Sequence, residues 1–436
     1  MKIDAKTALK TAAGILKRKS PVLDRAELDA FVSSFLQRKD VFLQASREHG
    51  SPLYVIEEKV LLDRAAQFTA ALRGALPDVR VYYAVKSNNH PEIARSLVRA
   101  GLGLDVSSGL ELTTAVECGA SDVVFSGPGK TTAELDLAVA HRDRVTVLMD
   151  SFGELDRLEA AAAKSRVSLR AGVRLTTDER GLWRKFGIPL SDLARFMDAA
   201  NQCGHVQLRG LQFHTSWNLD PSNQVAFISR LGATLEKLGS VRRASIEFID
   251  IGGGFWPPQG EWLQLAGTPE GRLRQTLLPA SQPALRHYKL PSTPIEEFIR
   301  RIAEAAKKHL FPRLKCRICA EPGRWICNDA LHLLLTVVDR KADDLVVTDG
   351  GTNAVGWERF EMDYFPAINL TRPGLAEHEC YVLGSLCTPH DVWGYAYYGN
   401  DIQPGDVLLI PTQGAYTYSL RQNFIKPLPK SVMLTS

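Results

Sequence analysis

Val81-Tyr82-Tyr83-Ala84-Val85-Lys86-Ser87-Asn88 is an apolar, β-branched and aromatic run that stops at a lysine. Asn89-His90 follow, and then Pro91-Glu92-Ile93-Ala94-Arg95-Ser96-Leu97-Val98-Arg99-Ala100, which has helical periodicity and ends at Gly101. Polar residues and proline suit a helix start, and glycine suits its end. The stretch therefore reads as strand, short loop, helix. Further strand-like runs lie at Leu102–Val106, Val123–Phe125, Val145–Met149, Val167–Val173, Leu208–Phe213, Phe248–Ile251 and Cys316–Ala320. Helical patterns separate most of them. Eight strands alternating with helices predict an α/β fold, a (β/α)8 barrel.

In such barrels the chemistry lies at the C-terminal ends of the strands. Polar residues follow these runs: Lys86, Asp105, Ser107, Ser126, Asp150, Arg174, His214, Gly252 to Gly254 and Glu321. Any one of them is bland, since strands often end in polar residues. An amine, two carboxylates, an imidazole and a triple glycine on one rim are not. Partial desolvation lowers a lysine's pKa and frees its amine to form a Schiff base. A lysine at a strand end also simply reaches solvent, so Lys86 alone does not decide the matter.

Composition narrows the class. The chain has 436 residues, enough for one large and one smaller domain. Its 45% hydrophobic and 23% charged residues are ordinary for a globular protein. A net charge of +4 is too mild to point to nucleic acid. No apolar run approaches the ~20 residues that span a bilayer. Met1 to Lys19 lacks the long apolar core and cleavage site of a signal peptide and reads as a short amphipathic helix or a frayed tail. Seven cysteines are scattered, and the lone Cys316-x-x-Cys319 lacks a second ligand pair for zinc. The expectation is a cytoplasmic protein with no metal, no membrane and no nucleic-acid partner.

After Arg324 the pattern changes. Ala330–Val338, Leu345–Val347, Tyr381–Leu383 and Val407–Ile410 are strand-like, with few helices between them. The expected boundaries are a barrel over 51–325, a β domain over 326–436, and an N-terminal extension, 1–50, that joins the β domain. Pro257 to Pro294 is rich in proline, glycine and glutamine and long for a barrel loop. It reads as a lid or substrate-binding insertion, or as a disordered one.

Three loops carry the remaining chemistry. Asp250-Ile251-Gly252-Gly253-Gly254-Phe255 lets backbone approach an anion closely. Glu321-Pro322-Gly323-Arg324 offers a guanidinium and a carboxylate. Gln413-Gly414-Ala415-Tyr416-Thr417 offers a phenol. With these, Ser51-Pro52-Leu53-Tyr54-Val55, Tyr83 to Asn88, Asp105-Val106-Ser107-Ser108-Gly109-Leu110-Glu111-Leu112, Lys185-Phe186-Gly187-Ile188, Thr348-Asp349-Gly350-Gly351-Thr352-Asn353 and Cys387 to Asp391 form an ordered set. From about Ser51 to Pro429 the chain resembles the fold-type III decarboxylases dependent on pyridoxal 5'-phosphate (PLP), the group of diaminopimelate, ornithine and arginine decarboxylases. The resemblance implies an alanine racemase-like PLP-binding barrel, a C-terminal β domain and a homodimer with shared active sites.

It also implies roles. Lys86 carries the PLP Schiff base, His214 stacks on the ring, and Glu321 pairs with the pyridine nitrogen. Asp105 helps orient the cofactor. Gly253, Gly254, Gly323, Arg324 and Tyr416 bind phosphate. Cys387, from the partner subunit, protonates the product, and Asp349 lies at the substrate end. A carboxylate at the ring nitrogen keeps it protonated and makes the ring a better electron sink. The arginine of the related alanine racemases makes a weaker one, so Glu321 favours decarboxylation over racemisation. Together with Lys86, Arg324, Tyr416 and Cys387 it also argues against a regulator that has lost PLP.

The departures lie mostly at the distal substrate end. His214-Thr215-Ser216-Trp217 puts Trp217 where the family has a phosphate-binding serine, leaving Ser216 as a substitute. Thr388 stands where diaminopimelate enzymes have glutamate and ornithine enzymes aspartate, facing the distal ammonium. Trp357 falls where diaminopimelate enzymes use an arginine, with Arg359 nearby. Asp391 closes the cysteine motif on the substrate side. A neutral hydroxyl cannot pair an ammonium in a closed site. The expected substrate is therefore an amino acid, or an amino acid joined to another acid, that is bulkier and less cationic than diaminopimelate. Siderophore and natural-product pathways use such conjugates. Diaminopimelate itself is the alternative.

Overall fold

The computed structural model describes residues 4–18, 20–277, 285–356 and 362–435. Two compact units emerge, one of 59–258 with 292–327, the other of 1–58, 259–291 and 328–436.

The first unit is the (β/α)8 barrel. Its parallel strands are β1 (Val79–Ala84), β2 (Gly103–Val106), β3 (Val123–Phe125), β4 (Val145–Met149), β5 (Leu169–Leu175), β6 (Val206–Phe213), β7 (Phe248–Asp250) and β8 (Arg317–Ala320), and β8 pairs with β1 to close the ring. Helices cover the outside, so both faces of each strand are buried and the runs are nearly continuous in apolar residues. The predicted helix after β1 forms over Pro91–Arg99, with His90 as its N-cap and Pro91 in its first turn.

Strand periodicity sets the inside of the barrel. Tyr82, Val124, Leu148, Phe248 and Cys319 form an apolar floor. Side chains two residues on share that face. They are Ala84, Ser126, Asp150, Asp250 and Glu321. On β2, β5 and β6 the floor positions are Gly103, Gly172 and Gly210, and Asp105, Arg174 and Gln212 stand above them. The glycines make room for the floor rings. A Cβ on Gly210 would lie 2.0 Å from the Phe248 ring, and one on Gly103 would lie 2.4 Å from Tyr82. A polar layer thus rests on an apolar one toward the C-terminal end of the barrel.

The second unit is built on an eight-stranded sheet. Its order is Leu345–Thr348, Glu377–Leu383, Val392–Tyr398, Ala367–Asn369, Val407–Ile410, Leu331–Ala342, Leu53–Glu57 and Lys430–Leu434. Leu345–Thr348 also pairs with Leu331–Ala342, so the sheet curls on itself. Helices Arg25–Leu36 and Lys39–His49 lay Leu28, Val32, Phe35, Phe42 and Ala45 on its core. The first helix, Ala5–Lys17, is capped by Asp4 and buries none of its residues.

Two boundary expectations are corrected. Leu53–Glu57 falls in the stretch assigned to the barrel, yet it pairs with Leu331–Ala342 and Lys430–Leu434 in the β unit. The stretch from Pro257 to Pro294, read as a barrel-loop insertion, lies with the β unit over Gln259–Pro291. Its strands Glu261–Leu263 and Tyr288–Leu290 pair antiparallel. Trp262 anchors it, 5% exposed, with its ring 4.8 Å from Phe31 and 6.2 Å from Tyr364. Truncating a buried tryptophan costs about 3–5 kcal/mol. We expect Trp262→Ala to lower the unfolding free energy of the β unit by that amount, leaving the barrel helices folded, as read by hydrogen exchange.

Candidate active site

The polar layer holds the chemistry. β1 ends in a 3-10 turn, Val85–Ser87, that carries Lys86 out of the strand. Ser87 Oγ donates to the Ala84 carbonyl at 2.6 Å and fixes the turn. Gly323 lets the end of β8 approach, since a Cβ there would lie 2.6 Å from Ser87 Oγ. Lys86 Nζ donates to Asp105 Oδ2 at 2.6 Å, and Ser126 Oγ donates to Asp105 Oδ1. Asp105 is fully buried. Burial, with Glu321 close by, pushes its carboxyl up to about 7, against the pull of Lys86 and Ser126.

Glu321 follows β8 and is 1% exposed. Gln212 Nε2 donates to its Oε1 at 3.2 Å. His214 Nδ1 lies 3.6 Å from its Oε2, too far for a hydrogen bond. That nitrogen instead accepts from the Gly253 amide at 3.1 Å. The ring proton is therefore on Nε2, and burial keeps the imidazole below its ordinary pKa, in the neutral form. Glu321 Oε2 has no donor among the described residues. Burial pushes the Glu321 carboxyl up, but the positive charges of Lys86 and Arg174 oppose it, and the group sits below its ordinary value.

The triple glycine is packed from both sides. A Cβ on Gly253 would lie 2.4 Å from the Glu321 carbonyl, and one on Gly254, at φ +82°, would lie 2.2 Å from the Thr215 carbonyl. Asn218 Nδ2 donates to the Thr215 hydroxyl at 2.8 Å, and the Asn218 amide donates to the Gly254 carbonyl at 3.0 Å, tying the segment after β6 to this loop. Arg174 lies 4.4 Å from the Phe186 ring centroid. The Lys185-Phe186-Gly187-Ile188 motif holds it there, with the Ile188 amide donating to the Arg174 carbonyl at 3.0 Å.

Trp217 does not enter the barrel. It is 62% exposed and in the left-handed region, at φ 57°. Its ring lies 5.6 Å from Trp256, and the Arg324 guanidinium sits 4.5 Å over Trp256 and 5.8 Å over Trp217. Ser216 is half-buried and lines a cavity of about 590 Å³ with Thr177, Trp183 and Arg230.

The remaining candidates belong to the β unit. Asp349 accepts from Ser51 Oγ at 2.5 Å and from the Thr336 amide at 2.9 Å. Asp391, expected toward the substrate, is 2% exposed and accepts from the Thr352 and Leu386 amides at 2.7 and 2.6 Å. Its carboxylate fastens the loop that presents Cys387, which is exposed. Thr388 is half-buried in the same loop, and Tyr416 stands in the left-handed region at φ 59°. Trp357 and Arg359 lie outside the described residues.

Sequence reasoning placed Lys86, Asp105, His214, Glu321, the glycines and Arg324 on one barrel, and the structure brings them together at one end. It missed Gln212 and Asn218. For Gln212 the signal was its place two residues before His214 on an inward face.

A half-exposed amine paired to a buried carboxylate, beside a neutral imidazole and an orphaned carboxylate oxygen, on the C-terminal rim of an eight-stranded parallel barrel, suits Schiff-base chemistry. Residues 62–328 match the family model described as pyridoxal-dependent decarboxylase, pyridoxal binding domain, and the chain belongs to that family. It is a PLP-dependent amino-acid decarboxylase, a carboxy-lyase of fold type III. Diaminopimelate decarboxylase of Aquifex aeolicus is 24% identical, covering 96% of this chain and 94% of the relative. L-glutamyl-[BtrI acyl-carrier protein] decarboxylase of Niallia circulans is 27% identical over 79% of each chain. Diaminopimelate decarboxylase from Helicobacter pylori, solved with L-lysine, has the same fold, with a TM-score of 0.71 at 19% identity over 90% of this chain and 94% of that one. Among the described residues no helix is long and apolar enough to cross a membrane.

The barrel residues fit PLP. Lys86 would supply an amine for its aldehyde. The orphaned Glu321 Oε2 is a buried acceptor for a ring N–H. The tight Gly252 to Gly254 turn and Arg324 suit its phosphate.

Proposed function

We propose that this enzyme decarboxylates an amino acid or amino-acid conjugate whose distal end carries no free ammonium. The observation that carries this reading is Thr388, a neutral side chain beside Cys387 where the diaminopimelate and ornithine enzymes have an acid. The barrel end of the site keeps its full charged set, so the change concerns the substrate and not the reaction. The Niallia circulans relative is named for a glutamyl group held on a carrier protein, which supports a conjugated substrate.

PLP supplies the electron sink that takes up the bonding pair when CO2 leaves. The chain's own residues do the rest. Lys86 would hold the cofactor through its amine, and Asp105 would steady that amine's positive charge. Glu321 would pair with the ring nitrogen, and its negative charge would keep a proton there. His214 would pack against the ring. Cys387, presented by the partner subunit of a homodimer, returns a proton to the product carbon; its exposure on the loop fastened by Asp391 supports this role. Diaminopimelate as substrate is the second reading, favoured by the Aquifex aeolicus relative that spans 96% of the chain.

The two readings separate on kcat/KM for meso-diaminopimelate against its mono-N-succinyl derivative. Succinylation removes one ammonium and adds bulk. We expect the derivative to be preferred by tenfold or more, about 1.4 kcal/mol or more in transition-state binding. Preference for free diaminopimelate would overturn the conjugate reading.

A further inference from the structure

We propose that Asp250 is a positioning residue that holds a proton and shares it with Glu321. This rests on the reading of Glu321 as the partner of the ring nitrogen. Asp250 ends β7 and lies opposite Cys319 of β8, so the inward positions above the floor on these neighbouring strands are Asp250 and Glu321. The Glu321 amide donates to the Gly252 carbonyl at 2.8 Å and clamps the two strand ends together. The charge of Glu321 acts directly on Asp250. Both residues are buried, 0% and 1% exposed.

Their hydrogen bonds do not close without a proton. Asp250 Oδ1 accepts from the Gly252 amide at 2.8 Å, and Glu321 Oε1 accepts from Gln212. Asp250 Oδ2 and Glu321 Oε2 have no donor among the described residues. Two ionised carboxylates on neighbouring strands inside a barrel repel each other and leave two buried acceptors unsatisfied. One proton between them satisfies both.

The surroundings decide which group carries it. Glu321 faces the cations Lys86 and Arg174, with the neutral imidazole of His214 beside it. Asp250 faces Glu321 and Cys319 from β8, Asp105 from β2 and Tyr82 from β1, with no cation among them. Burial and the Glu321 charge hold the Asp250 carboxyl well above the ordinary range, opposed by the Gly252 amide. Asp250 is therefore the neutral acid and donates to Glu321, which stays anionic. A carboxylate has about four acceptor sites, so Glu321 keeps a lone pair for a ring N–H. The bond from Asp250 orients it and lowers its basicity, and the proton stays on the ring.

The test uses the apoprotein first. Infrared difference spectra of wild type against Asp250→Asn at neutral pH should show a protonated carboxyl stretch, sensitive to deuterium, that the variant lacks. In the loaded enzyme, Asp250→Asn should keep kcat within about twofold, since an amide N–H replaces the hydroxyl. Asp250→Ala should lose about tenfold in kcat with little change in KM, as expected for a contact felt mainly in the transition state. No carboxyl band in the wild-type apoprotein, or an Asn variant as poor as the Ala variant, would overturn the proposal. Glu321→Gln separates the two claims. If it loses kcat while the band is missing, the shared proton alone falls. If it keeps full kcat, the reading of Glu321 falls, and the role of Asp250 with it.

Discussion

Lys86→Ala is expected to stop CO2 release, with kcat falling at least about 10⁴-fold, on the scale that covalent tethering contributes as effective molarity. The loaded protein should also lose the absorbance of a lysine Schiff base. The fold should survive. Removing one partner of a buried ion pair ordinarily costs about 3–5 kcal/mol, because the other charge is left alone. Here Asp105 already sits at about 7 with Lys86 present, so it takes up a proton when the amine goes. A neutral Asp105 still accepts from Ser126. The loss in stability should therefore be about 1 kcal/mol, well below the cost of a stranded charge. Steady-state CO2 release and a urea midpoint on the same preparation check both halves. An inactive variant that is also unfolded would locate Lys86 in the architecture and not in the chemistry.

Glu321→Gln has the second-largest expected effect. The amide keeps the size of the side chain and its contact with Gln212, so binding should change little. What goes is a buried negative charge aimed where positive charge must be held. Preorganised charges in a closed site contribute about 10²–10³-fold in kcat. We expect a fall of that order with KM within about threefold. The apoprotein should not be destabilised, because the substitution removes a buried negative charge that acts on Asp105. A change confined to KM would place Glu321 at the substrate and not at the ring.

Much of this was legible before any coordinates. Val123–Phe125 and Val145–Met149 form strands over the residues read from sequence, because a doubly buried parallel strand leaves an unbroken apolar run. The polar residues after each run follow from the same period, which puts chemistry two residues above the floor. Other features depend on partners distant in the chain. Leu53–Ile56 is apolar in any sheet, and nothing local says that its neighbours are Leu331–Leu334. Gln259–Pro291 reads as loop by composition, but Trp262 and Tyr288 find Phe31, Tyr364 and the Val22 backbone far away. Trp217 stands where the resemblance implies a phosphate-binding serine, and its backbone is left-handed and its ring exposed beside Arg324. Asp391 looked like a substrate ligand by position and instead holds two backbone amides. A carboxylate's partners cannot be read from its place in a motif.

The central claim is that Lys86 carries the cofactor. Borohydride reduction of the PLP-loaded enzyme, followed by tryptic mapping, tests it directly. The account predicts the phosphopyridoxyl mass on a single peptide, Val81 to Arg95, uncut at Lys86 because the modified lysine resists trypsin. The mass on any other lysine, or a cofactor absorbance that leaves no reduced adduct at Lys86, would contradict it.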